Sequence, residues 1–283
     1  MSLLGRVGGL NPRFPGLAQK MLNLREKRAG KKFSCIIFYY KVNITLHPVL
    51  ARTRCARPGR VRFSAEISKF MRPRTKICGL TRPEDVRLAR ELGADYFGVV
   101  LYAGSPRYVP AESLASLLAA MPPGRRVAVS VSPAPGQLKQ LGETGFDFFQ
   151  VHYDPFAMGE AALQVWKEEV GAERLWLAPR LPPGQEFPSS ALAVAQTLLL
   201  DTYQQGTYGG SGRTGDWSHF RALSETHPQH RWVLSGGLRP ENIRAALRSS
   251  GAKTVDVNSG VETAPGIKDA VLLDLLFANL VAG

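Results

Sequence analysis

The chain has 283 residues, 44% of them hydrophobic and 21% charged, proportions that suit a folded core and exclude disorder of the whole chain. No apolar run approaches the ~18 residues that a membrane-spanning helix needs, and the three cysteines, Cys35, Cys55 and Cys78, form neither a disulfide framework nor the CxxC spacing of a zinc site, so a reducing, cytoplasmic setting without a bound metal is expected. The net charge of +13 points at first to a polyanion, but residues 1–70 hold 15 Lys/Arg against 2 Asp/Glu, and the remainder holds 21 of each.

The first quarter of the chain therefore carries the whole excess charge. It shows no sustained helical or strand period; only Cys35–Leu46 could form a strand or two. Three readings compete: a basic arm for nucleic acid, an Arg-rich and acid-poor targeting segment, or a segment outside the natural product, with the start codon assigned too far upstream. Four serines in these 70 residues are few for a transit peptide, and Met71 stands immediately before the first good strand. The third reading is preferred. Residues 1–70 are expected to be a basic, disordered N-terminal extension, and residues 71–283 a balanced catalytic domain with no general attraction to nucleic acid.

From Met71 onward, apolar strand runs alternate with helix-prone stretches. The strands are expected at Thr75–Gly79, Asp95–Leu101, Val127–Val131, Phe146–His152, Leu175–Ala178, Thr197–Asp201, Trp232–Ser235 and Thr254–Asn258. Helices are expected to start at Pro83, where Glu84 and Asp85 suit a helix N-terminus, then near Pro110, Gln137, Phe156, Asp216 and Pro240, with a last one from Lys268 to the end. Between the fifth and sixth strands Ser189–Val194 is the only, short, candidate. Eight strand–helix units over about 210 residues match a (β/α)8 TIM barrel, and the continuous apolar strands agree with a parallel sheet buried on both faces. A doubly wound open sheet would not call for eight units.

In such a barrel the chemistry lies at the C-terminal ends of the strands, which selects the polar residues that matter. Cys78 closes the first strand; a lone cysteine on an apolar strand is usually core, but at this rim a thiolate could act as base or nucleophile if positive charge lowered its pKa. Asp201 closes the sixth; it either caps a loop or, beside apolar residues, stays protonated as a general acid. The loop Tyr208–Thr214, with Gly209, Gly210 and Arg213, is a flexible turn or an anion cradle. Two further glycine sites, Ser235-Gly236-Gly237 and Asn258-Ser259-Gly260, follow the seventh and eighth strands, where barrels often bind phosphate. Arg107, in Ser105-Pro106-Arg107-Tyr108, could hold a carboxylate through two parallel hydrogen bonds. Gln150 and His152 are two apart on one strand, hence on the same face, and suggest polar pocket lining, although a structural histidine is the plainer reading of His152.

Five ordered blocks, Lys76–Thr81, Ser105–Tyr108, Leu199–Asp201 followed by Tyr208–Trp217, Leu234–Asn242 and Val255–Glu262, together resemble the phosphoribosylanthranilate isomerases of tryptophan biosynthesis, from about Thr75 to the C-terminus. The resemblance implies an Amadori rearrangement of N-(5-phosphoribosyl)anthranilate to 1-(2-carboxyphenylamino)-1-deoxyribulose 5-phosphate, with no cofactor and a phosphorylated small molecule as partner, in a monomer or homodimer. It places the general base at Cys78, the general acid at Asp201, the anthranilate carboxylate at Arg107, and the phosphate at Gly236-Gly237 and Ser259-Gly260. Departures from the family pattern stand at Val129–Ser132, Tyr153, Arg213 and Gly215, and none touches the expected acid or base. A sister barrel isomerising the related histidine-pathway aminoaldose is the nearest rival; such barrels tend to pair two aspartates, which Cys78 disfavours. A nucleic-acid-binding protein led by the basic arm is the rival from another class.

Overall fold

The computed structural model describes residues 72–182, 184–201 and 216–281. The expectations for residues 1–70 and for the loop holding Gly209, Gly210 and Arg213 lie outside the described residues. Eight strands form a closed parallel barrel in sequence order: β1 (Arg74–Ile77), β2 (Tyr96–Val100), β3 (Arg126–Val131), β4 (Phe148–Tyr153), β5 (Leu175–Pro179), β6 (Thr197–Leu200), β7 (Arg231–Leu234) and β8 (Thr254–Val257). β1 closes the ring by pairing with β8 over Arg74↔Thr254 to Ile77↔Val257. The helices are α1 (Pro83–Leu92), α2 (Ala111–Ala120), α3 (Gln137–Glu143), α4 (Glu160–Val170), α5 (Ser189–Val194), α6 (Trp217–Thr226), α7 (Ile243–Ser250) and α8 (Ala270–Val281). Among the described residues no helix is long and apolar enough to cross a membrane.

The strand period sorts the side chains into two cores. Residues facing the helices, such as Ile77, Phe97, Val99, Val151, Leu177, Leu198, Val255 and Val257, join the apolar faces of the helices in one large cluster. The alternate residues, Cys78, Val100, Val127, Val129, Trp176, Ala178, Leu199 and Val233, pack inside the barrel. At its lower end Tyr96, Phe148 and Trp176 stack with ring centroids 5.0–5.6 Å apart. This aromatic layer fills the interior below the strand ends, so ligand space is confined to the upper rim.

Three helices, α4, α7 and α8, begin later than their sequence signals suggest, and for α4 and α8 a local reason is plain. α4 starts at Glu160 rather than near Phe156 because Asp154 first closes a turn: its carboxylate accepts from the Phe156 amide at 2.9 Å and its carbonyl from Met158 at 2.9 Å. α8 starts at Ala270 because Asp269 caps it, accepting from the amides of Val271 and Leu272 at 2.8 and 3.0 Å. Lys268, expected to open that helix, belongs instead to a small antiparallel ribbon, β9 (Glu262–Ala264) with β10 (Ile267–Lys268), which follows the 3-10 turn Ser259–Val261. α6 starts as expected: Asp216 accepts from the amides of Ser218 and His219 at 3.1 and 2.9 Å.

Candidate active site

One pocket opens at the C-terminal ends of the strands. Its wall includes Cys78 after β1, Tyr102, Ser105 and Arg107 after β2, Gln150 and His152 on β4, Asp201 after β6, Ser235, Gly236 and Gly237 after β7, and Asp256, Asn258 and Ser259 on and after β8. Cys78 and Asp201 thus face one space from across the ring, since four strands lie between β1 and β6 in one direction and two in the other.

Cys78 is 5% exposed, and the structure explains what surrounds its sulfur. One step lower on the same strand, the fully buried Lys76 ammonium is held by Asp256 of β8, with Nζ to Oδ1 and Oδ2 at 3.0 and 2.9 Å. Gly98 on the neighbouring strand makes room for both groups: a Cβ there would lie 2.9 Å from Lys76 Nζ and 3.0 Å from Cys78 Sγ. The ammonium and the sulfur are therefore no farther apart than the sum of those two distances. Burial pushes the Cys78 thiol above its ordinary pKa, and the positive charge of Lys76 opposes that rise without cancelling it. Lys76 itself loses hydration on burial, yet Asp256 overcomes the loss and holds the ammonium above its ordinary value. It is a permanent cation beneath the thiol.

On β4, Gln150 and His152 do share a face: Gln150 Nε2 lies 2.9 Å from His152 Nε2. Burial, with Lys76 adding to it, lowers the His152 pKa to about 4. The imidazole is neutral near pH 7, and its Nε2 is the ring nitrogen that meets the Gln150 side chain. It is pocket lining with a settled partner rather than a proton carrier near neutrality.

Arg107 reaches the pocket wall with 13% of its side chain exposed. Its Nε and Nη2 edge is taken by Glu262 of β9, at 3.0 and 2.7 Å. Nη1 donates to no described residue, so the end-on edge of the guanidinium remains for a ligand. Gly79, at φ +67°, permits this packing twice over: the backbone is left-handed there, and a Cβ would fall 2.6 Å from Arg107 Cδ and 2.5 Å from Asn258 Oδ1.

Glycine loops border the pocket after β7 and β8. Gly236 and Gly237 have φ of 91° and 60°, and among the described residues no hydrogen bond is donated by the amides of Gly236, Gly237, Ser259 or Gly260. Asn242 pins the first loop, accepting from the Arg239 amide at 2.9 Å and donating to Gly237 O at 2.8 Å. Gly260 differs from the others in lying behind the wall: its missing side chain admits the carbonyl of Leu238, which a Cβ would meet at 2.0 Å. It locks the two glycine loops against each other.

Lys76, Gly98, Asp256, Glu262 and Lys268 were not among the expected site residues. A signal for two of them existed: a lysine and an aspartate of opposite charge in otherwise apolar strands that close the ring are a buried pair in waiting. Glu262 and Lys268 carried no such signal, because their ribbon is too short to show a period.

The family model described as N-(5'-phosphoribosyl)anthranilate (PRA) isomerase matches residues 75–279. A curated N-(5'-phosphoribosyl)anthranilate isomerase of Zymomonas mobilis is 37% identical over 203 residues, covering 70% of this chain and 93% of the relative. The crystal structure of phosphoribosyl anthranilate isomerase from Thermotoga maritima superposes with a TM-score of 0.61 at 32% identity, over 75% of this chain and 100% of the other. A further isomerase of that name, solved in complex with reduced 1-(o-carboxyphenylamino)-1-deoxyribulose 5-phosphate, gives a TM-score of 0.59 at 29% identity, over 75% of this chain and 100% of the other.

Proposed function

The chain belongs to the N-(5'-phosphoribosyl)anthranilate isomerase family, and from that premise we propose how its pocket performs the reaction. The enzyme is a phosphoribosylanthranilate isomerase of tryptophan biosynthesis, an aldose–ketose isomerase acting on a phosphorylated substrate. The observation that carries the residue assignment is the single pocket in which a sulfur after β1 and a carboxyl after β6 flank a space walled by Arg107 and by glycine loops.

In this reading the phosphate of the substrate accepts from the amides of Gly236, Gly237 and Ser259, which donate to no described residue and whose fixed direction favours an anion. The carboxylate of its aromatic ring lies on the free edge of Arg107. The ribose then spans the pocket between Asp201 and Cys78. The Asp201 carboxyl gives its proton to the ring oxygen; the C1–O bond breaks and the nitrogen lone pair forms the iminium C=N. The Cys78 thiolate removes the proton on C2, and the electron pair of that C–H bond becomes the C1=C2 bond of the enolamine while the iminium electrons return to nitrogen. Loss of the C2 hydroxyl proton and protonation at C1 give the ketone. Each positioned proton transfer is typically worth about 10²–10⁴-fold in rate. Lys76 lowers the cost of the thiolate, and the neutral His152 with Gln150 shapes the floor.

The account is tested by giving the purified chain N-(5-phosphoribosyl)anthranilate and following its consumption. Turnover to 1-(2-carboxyphenylamino)-1-deoxyribulose 5-phosphate is expected, with the histidine-pathway aminoaldose left unconverted. Conversion of the second substrate and not the first would overturn the assignment. The cytoplasm, and a monomer or homodimer, are the proposed setting and state.

A further inference from the structure

The ribbon β9–β10 stands behind Arg107, and its charges are unusually well tied. Glu262, with 4% of its side chain exposed, accepts at Oε1 from Arg107 Nε (3.0 Å), Lys268 Nζ (2.7 Å) and the Gly266 amide (3.2 Å), and at Oε2 from Arg107 Nη2 (2.7 Å). Lys268 is fully buried and spends its other ammonium donors on the carbonyl and side-chain oxygens of Asn258, at 3.2 and 3.0 Å. Its own amide donates to Asp85 Oδ2 at 3.1 Å, and Asp85 is gripped in turn by Arg82 through Nε and Nη2 at 2.9 and 2.7 Å. Burial alone would raise the Glu262 carboxyl, but Arg107 and Lys268 outweigh it and hold the group ionised below its ordinary value.

A buried ion network of this kind contributes little net stability over an apolar replacement. What it supplies is orientation. A guanidinium bound along Nε and Nη2 is fixed in direction, with Nη1 and the outer side of Nη2 left over, and Arg107 is part of the pocket wall.

Building on the reading of Arg107 as the carboxylate clamp, we propose that Glu262, anchored by Lys268, is a positioning residue that aims the free edge of Arg107 at the carboxylate of the substrate's aromatic ring. Selectivity for the carboxylated ring over an unsubstituted one then depends on a residue that never touches the ligand.

The test compares dissociation constants for reduced 1-(o-carboxyphenylamino)-1-deoxyribulose 5-phosphate and for the same compound without its carboxylate. Native enzyme should prefer the carboxylated form by at least about tenfold, as a charge-assisted bidentate contact supplies. Arg107→Ala should abolish the preference. Glu262→Gln should reduce it to within about threefold of unity while leaving binding of the carboxylate-free compound within about twofold of native. If Arg107→Ala keeps the preference, the clamp itself is wrong and the proposal falls with it. If Arg107→Ala loses the preference but Glu262→Gln keeps it, or if Glu262→Gln weakens both compounds equally, the clamp stands and Glu262 is merely structural. Should Glu262→Gln not fold, Glu262→Asp, which keeps the charge but withdraws it by one methylene, reads the same ratio, and an unchanged preference there overturns the proposal.

Discussion

The proposed mechanism asks Cys78 and Asp201 to react in the form opposite to that which ordinary acidities favour: a thiolate beside a carboxylic acid, although free thiols titrate near pH ~8.5 and free aspartates near ~3.9. The buried Lys76 matters for this reason, because it is the nearest charge able to lower the cost of the sulfur anion. Burial nevertheless wins at Cys78, so its thiolate forms at a higher pH than an ordinary thiol's. The sign is testable on the sulfur itself. Alkylation of Cys78, followed by mass spectrometry of its peptide, should keep accelerating with pH beyond about 8.5, where a normal thiol levels off. A rate already at its plateau near neutrality would show a depressed pKa and contradict this environment. Much of the residue-level site was legible: Cys78, Arg107, Gln150, His152, Asp201, Gly236, Gly237 and Ser259 all reach the pocket wall, because each follows or ends an expected strand and the barrel puts strand ends together. Lys76 and Asp256 escaped notice as a pair since 180 positions separate them, and only the closing β1–β8 contact brings them to 2.9 Å.

At the scale of elements, β2 turns on one missing side chain. A glycine within a strand usually weakens it, and replacement by alanine commonly adds about 0.4–1 kcal/mol through the unfolded chain. At Gly98 the opposite sign is expected. The new methyl would press on the Lys76 ammonium and the Cys78 sulfur at 2.9 and 3.0 Å, and the ammonium, held by Asp256, cannot shift without disturbing that buried ion pair. Overpacking of this kind costs about 1–3 kcal/mol. Gly98→Ala should therefore lower the denaturation midpoint and reduce kcat together; equal or higher stability with native turnover would show that the space beside the thiol is not used. The alternation of strands and helices could be read along the whole barrel, and even the short α5 falls at Ser189–Val194, because strand burial on both faces and proline- or acid-led helix starts are local signals. The ribbon β9–β10 was not legible. Its strands have three and two residues, fewer than a hydrophobic period requires, and the apolar run that follows drew Lys268 into the helix.

At the scale of the molecule, the closed ring explains why a charge-neutral segment can do the chemistry while the +13 excess lies elsewhere in the chain. The ring closes between β1, which starts at Arg74, and β8. Removing residues 1–70 should leave a folded enzyme with turnover within a few-fold of the full chain, checked by circular dichroism and steady-state assay. Collapse of the fold would make the basic segment integral to the domain. Salt-sensitive DNA binding by the full chain, lost on truncation, would assign that segment a separate task.

The central claim is that proton transfer by one sulfur and one carboxyl drives the isomerisation. The direct measurement is kcat for Cys78→Ala and Asp201→Asn at saturating N-(5-phosphoribosyl)anthranilate, with the fold verified. Each should fall by at least about 10²-fold. Turnover within a few-fold of native in a folded Cys78→Ala enzyme would mean that some other group takes the C2 proton.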